Sequence, residues 1–277
     1  MYISLDKPED VNAEIIRIRT VGKRSVPVIV ITPQEAKANA PAVLWLHGGG
    51  YFSGLKEMVY MSRAIDLVRA LGAVVVAPGY TLSFVKPYPA AVEDSYAALK
   101  WLDLNASRYG ANTNTIIVGG ESAGGGLAAA VCMMARDRGE IKVALQLPLY
   151  PMIDNLETSS SRNNHGKIWN SRRNRFAWRM YLRKNAKSEA EPYAAPARQK
   201  DYRNLPPCYT FVSSGEPFYA ETLNFVENLK QAGVYAEADV YDTDIHSFDM
   251  LYPELDISVK ARERFIEKVS VIISERN

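Results

Sequence analysis

Two kinds of apolar patterning alternate along the chain, and their periods differ. Short period-2 or β-branched runs at 14–20, 26–31, 42–46, 73–77, 115–118, 143–147, 209–212 and 236–241 predict eight strands. From the third run onward, helical spacing fills the intervals at 58–70, 91–104, 124–136 and 219–231, with a last helix over 257–273. Two opening strands followed by β/α alternation predict a mostly parallel sheet with helices on both faces, since parallel crossovers need long connections. One interval breaks the rhythm. Between the sixth run and Leu205-Pro206-Pro207 lie roughly sixty residues, too many for an ordinary connection inside a domain. Within them Trp169, Phe176 and Met180, with Tyr181 beside them, fall at helical spacing, so about 152–204 is read as a cap inserted over one end of the sheet. The aromatic stripe on that helix serves either to pack the cap on the body or to contact a substrate.

Composition narrows the class. With 277 residues, 47% of them hydrophobic and 23% charged, and with 17 Gly and 15 Pro, the chain is long enough for one large core and is neither disordered, collagenous nor coiled coil. It is read as a single domain over 1–277. Lys plus Arg is 33 against 31 Asp plus Glu, so the net charge of +2 offers no attraction for nucleic acid. The opening MYISLDKPED has no apolar signal core, and the longest strongly apolar stretch, 127–135, is about half a membrane span. A cytoplasmic protein with no membrane partner is expected, its two cysteines, Cys132 and Cys208, being buried thiols in a reducing compartment. No CxxC, HExxH or acidic metal loop occurs, so no cofactor and no metal is expected. Charge is uneven in one place: 161–185 holds eight basic residues (Arg162, Lys167, Arg172, Arg173, Arg175, Arg179, Arg183 and Lys184) and no acid. That run is either a solvated cap face or an attractor of an acidic substrate or partner.

The chemistry begins at Gly120-Glu121-Ser122-Ala123-Gly124, between an apolar strand and a helix rich in Ala and Gly. That is the setting of a nucleophile elbow, in which small neighbours let backbone approach a strained serine exposed above the sheet. His47-Gly48-Gly49-Gly50 ends the third strand and leaves backbone N–H groups uncovered, as an oxyanion hole requires. A merely structural turn and a phosphate loop are the weaker readings, the second because neither GxxxxGK[ST] nor GxGxxG is present. Of the three histidines, His47 belongs to the glycine motif, His165 lies in a polar run of the insertion, and His246 follows the last strand. His246 is therefore the candidate base for Ser122. The carboxylate that orients it should end the preceding strand, where Glu216 is the first acid, with Asp242 and Asp244 as rivals.

Taken together these residues make the chain similar to the hormone-sensitive-lipase branch of α/β-hydrolase esterases. The resemblance runs from about residue 15 to the end through 45–51, 80–94, 120–125, Leu149-Tyr150-Pro151, Leu205-Pro206-Pro207 and His246-Ser247-Phe248, in family order. It implies an α/β-hydrolase fold, a Ser122, Glu216 and His246 triad, and an oxyanion hole of the Gly49, Gly50 and Ala123 amides, with His47 structural. Three departures stand out. Glu216 replaces the family's Asp, the family's Tyr-Arg-Leu-Ala-Pro-Glu reads Tyr80-Thr81-Leu82-Ser83-Phe84-Val85, and the N-terminal cap helices are largely absent. The expected activity is hydrolysis of a small-molecule ester with a short acyl chain, acetyl to hexanoyl, through an acyl enzyme. The candidate pocket residues are Tyr51, Trp169, Phe176, Trp178 and Tyr181. Amide hydrolysis by the same triad and a non-catalytic small-molecule receptor are the alternatives, and a homodimer through the last strand's edge is compatible with the scaffold.

Overall fold

A computed structural model describes residues 5–183, 186, 188 and 190–275. Eight strands, β1 (Val11–Arg19), β2 (Ser25–Pro33), β3 (Pro41–Leu46), β4 (Val74–Pro78), β5 (Asn112–Glu121), β6 (Leu145–Leu149), β7 (Cys208–Ser213) and β8 (Ala236–Tyr241), form one sheet in the order β1-β2-β4-β3-β5-β6-β7-β8. β2 runs antiparallel to both neighbours, and every pairing from β4 to β8 is parallel. The helices are α1 (Arg63–Leu71), α2 (Ala90–Asn105), α3 (Ala123–Arg138), α4 (Ser171–Leu182), α5 (Tyr219–Gln231), α6 (Phe248–Leu251) and α7 (Asp256–Ser274).

Strand alternation sorts the core into two layers. Val28, Val30, Leu44, Leu46 and Val118 face Leu99 and Leu102 of α2 and Leu127 and Val131 of α3. Their sequence neighbours Ile29, Ile31, Val43, Trp45 and Ile117 point the other way, towards Ile65 and Leu67 of α1 and Phe265 and Val269 of α7. β3, β4, β6 and β7 are buried along their whole length, which explains why they read as unbroken apolar runs.

β1 starts three residues earlier than the sequence pattern puts it and β5 runs three residues further at each end, and other elements depart as well. The helix expected at 58–70 is split: a 3-10 turn, Lys56–Met61, ends at Ser62, whose hydroxyl donates to the Val59 carbonyl (2.8 Å) and accepts the Ala64 amide (3.1 Å), so α1 starts only at Arg63. β6 sits two residues later than expected because its ladder with β5 begins at Leu145 opposite Ile117. Between β6 and β7, α4 is capped by Asn170, whose side chain accepts the Arg173 amide, and turns Ala177, Trp178, Tyr181 and Leu182 inward. Its outer face carries Arg172, Arg173, Arg175 and Arg179, of which Arg175 pairs with Glu157 at 2.9 Å. Lys184 lies outside the described residues. Cys132 and Cys208 are buried free thiols. Among the described residues no helix is long and apolar enough to cross a membrane.

Candidate active site

Ser122 occupies the turn from β5 to α3 at φ 56° and ψ −119°, a conformation that is strained for any side chain. The turn closes only because its neighbours are glycine: a Cβ on Gly120 would lie 2.4 Å from the Leu46 carbonyl oxygen, and one on Gly124 1.9 Å from that same oxygen. Backbone bonds then hold it. The Ser122 amide donates to Leu149 O at 3.0 Å, and its carbonyl accepts the Gly126 and Met152 amides at 3.0 and 2.9 Å.

Two loops at the C-terminal end of the sheet meet this hydroxyl. His246, in the loop after β8, brings Nε2 to 2.9 Å from Ser122 Oγ. Its Nδ1 is hydrogen-bonded to Glu216 Oε2, and Glu216 Oε1 accepts the Ser213 amide at 2.9 Å at the end of β7. The imidazole is clamped edge to face by Tyr150 and Phe218, at centroid distances of 5.2 and 5.1 Å. Glu216 has no exposed surface, whereas Asp242 and Asp244 are exposed, with Asp242 accepting the Ser214 hydroxyl at 3.2 Å. His165 is exposed on the segment between β6 and β7.

The loop after β3 lies against the serine. An added Cβ on Gly48 would stand 3.4 Å from Ser122 Cβ. Gly49 and Gly50 take φ of 113° and 59°, and among the described residues neither donates its amide to a backbone carbonyl. Ala123 opens α3, where first-turn amides have no intrahelical acceptor. His47 is held by its own loop: Nδ1–H donates to Gly48 O at 2.8 Å, the ring stacks on Tyr80 at 4.1 Å, and burial drives its pKa down to about 4.

A cavity of about 420 Å³ opens over Ser122 and His246, walled by Leu5, Met58, Met61, Trp169, Met250 and Leu251. Of the aromatic residues expected there only Trp169 lines it, and the other four require correction. Tyr51 and Tyr181 stack at 4.1 Å with Trp178 beside them, all three buried, and the Tyr51 hydroxyl donates to Met152 O, so this trio fastens α4 to the body. Phe176 stays 47% exposed and packs its ring on Phe52. The aliphatic and methionine wall was not anticipated. Met58 and Met61 belong to the 3-10 turn that replaces the expected start of a helix, and Met250 and Leu251 follow His246 on α6, a proximity in sequence that hints at their place. Among the described residues no group of three or more His, Cys, Asp or Glu could hold a metal.

Known proteins resemble this chain over most of its length. The family model described as alpha/beta hydrolase fold matches residues 43–250. The chain is 30% identical to Esterase LipI of Mycobacterium tuberculosis, covering 86% of this chain and 74% of that one. It is 31% identical to Carboxylesterase NlhH of the same species, covering 88% and 79%. Among solved structures it resembles a bacterial heroin esterase (TM-score 0.90, 28% identity, 99% and 86% covered). It also resembles a Pyrobaculum calidifontis esterase (TM-score 0.87, 33% identity, 99% and 88% covered). The chain therefore belongs to the α/β-hydrolase fold family and is a carboxylic ester hydrolase.

Proposed function

We propose that the chain is a serine carboxylesterase of short-chain acyl esters, acetyl to hexanoyl, working through Ser122, His246 and Glu216. The observation that carries this reading is the continuous contact from Ser122 Oγ to His246 Nε2 at 2.9 Å and from Nδ1 to the buried Glu216 carboxylate. His246 takes the hydroxyl proton as Ser122 attacks the ester carbonyl, then gives it to the departing alcohol. Glu216 holds the Nδ1–H tautomer and stabilises the imidazolium without taking the proton. The Gly49, Gly50 and Ala123 amides receive the tetrahedral oxyanion, aided by the N-terminus of α3. Water then enters by the reverse route and frees the acid. The segment between β6 and β7 acts as a cap, contributing Trp169 to the cavity wall.

The reading is tested by a fluorophosphonate probe. It should add to Ser122, located by mass spectrometry, and to no site in Ser122→Ala. An unlabelled wild type, or label elsewhere, would favour a receptor on this scaffold.

A further inference from the structure

Around Glu121, the residue before Ser122, the protein buries more acid than base. Glu121 at the end of β5, Asp66 on α1 and Asp249 on α6 are 2%, 7% and 1% exposed. Asp66 and Asp249 share Arg63, whose guanidinium is 2.9 Å from one and 3.2 Å from the other. Glu121 accepts Trp45 Nε1 on both oxygens, at 2.9 and 2.8 Å. Of the three acids Asp66 alone also faces Arg69 and Arg262, and Arg69 is itself paired with Asp10; Tyr80 faces Glu121, Tyr150 faces both Asp249 and Glu121, and Asp249 also faces His246. Three ionised carboxylates about the one buried guanidinium would leave an excess of negative charge that Arg69 and Arg262 offset only at Asp66, in surroundings that admit little water. Burial on that scale is costly, and such clusters keep a proton instead. Of the three acids only Glu121 lines the cavity over Ser122, beside Met58, Met61 and Met250. Burial and the nearby Asp249 push its carboxyl up to about 8, against the pull of Trp45 and Arg63.

Resting on the esterase reading above, we propose that Glu121 determines which substrates the cavity accepts by carrying the cluster's proton: neutral, it offers apolar ester groups an uncharged wall, and ionised, it favours cationic ones. An ionised carboxylate must retain water, which occupies the space that an alkyl group has to fill. A cationic group would instead gain a partner.

The test uses the full chain, with p-nitrophenyl butyrate as the neutral ester and butyrylthiocholine as the cationic one. KM and kcat are measured from about pH 6 to about pH 9.5 for the wild type, Glu121→Gln and Asp249→Asn. The wild-type KM for the neutral ester should rise about tenfold across the alkaline half of that range while that for the cationic ester falls, with kcat changing less. Glu121→Gln should level both KM profiles. Asp249→Asn removes a neighbouring negative charge, eases ionisation of Glu121 and so should move the rise to lower pH. A wild-type KM independent of pH, or an unchanged profile in Glu121→Gln, would overturn the proposal. Tryptophan emission reports the same ionisation without turnover, because the Trp45 indole donates to Glu121. An alkaline emission change present in the wild type and absent from Glu121→Gln is expected. If neither ester is hydrolysed at any pH, the esterase reading falls, and the emission titration still decides whether Glu121 ionises; its absence would sink the proposal.

Discussion

Replacing Glu216 by glutamine probes the relay at its least accessible point, and the structure dictates how the new amide must lie. Glu216 Oε1 accepts the Ser213 amide at 2.9 Å, and that N–H needs an oxygen. The glutamine carbonyl therefore takes this position and its NH2 turns to His246 Nδ1, where the carboxylate stood. A donor facing Nδ1 leaves that nitrogen unprotonated and puts the ring's one proton on Nε2, aimed at Ser122 Oγ. The histidine is then the wrong tautomer to act as a base. In comparable triads this change costs about 10⁴ in kcat, or about 5.5 kcal/mol at about 1.4 kcal/mol per factor of ten. KM should move little, because Glu216 is enclosed and does not line the cavity. Removing a buried charge while keeping the Ser213 bond should leave thermal unfolding close to wild type. The assay is steady-state hydrolysis of p-nitrophenyl butyrate at neutral pH, after circular dichroism has shown a native fold. A kcat within tenfold of wild type, or a comparable loss in Asp244→Asn and none here, would refute the assignment of Glu216.

Ser122→Ala and His246→Ala should each remove nearly all esterase activity, and the double variant should be scarcely worse than either, since members of one relay fail as a unit; losses that multiply would argue against a shared proton path. Among p-nitrophenyl esters from C2 to C16, kcat/KM should peak at acetyl to hexanoyl and fall beyond about C8, because the gain of about 0.8 kcal/mol per methylene lasts only while apolar wall remains. A maximum at C12 or longer would mean a deep acyl tunnel. His47 supplies a prediction about stability. Its pKa is about 4 when folded against about 6.5 unfolded, so the unfolded chain binds the proton first and stability is lost as pH falls through that window, by about 3 kcal/mol. Urea unfolding at neutral and acid pH should show a smaller acid loss in His47→Gln, and an equal loss in both proteins would place the acid sensitivity elsewhere.

The local arrangement around Ser122 was legible in the residues themselves. The run Gly120-Glu121-Ser122-Ala123-Gly124 between a strand and a helix dictates a turn that larger residues could not make, because a side chain at Gly120 or Gly124 would meet the Leu46 carbonyl. The order of Ser122, Glu216 and His246 along β/α units was equally readable, because strand ends of a parallel sheet share one edge. α5 was read to the residue, since its apolar face repeats at 3.6 and Gly233 follows closely.

Tertiary structure alone decided the rest. Apolar spacing states that a side chain is buried but carries no label for its partner, so Tyr51, Trp178 and Tyr181 could be read as pocket when they are the fastening of α4 to the body. The cavity wall joins Leu5, Met58, Trp169 and Met250, residues whose only relation is that the sheet's strand order brings their loops to one edge. Arg63 and Asp249 meet in the same way, across most of the chain. A charge excess such as the one around Glu121 depends on distance and exclusion of water, and neither quantity exists until the chain has folded.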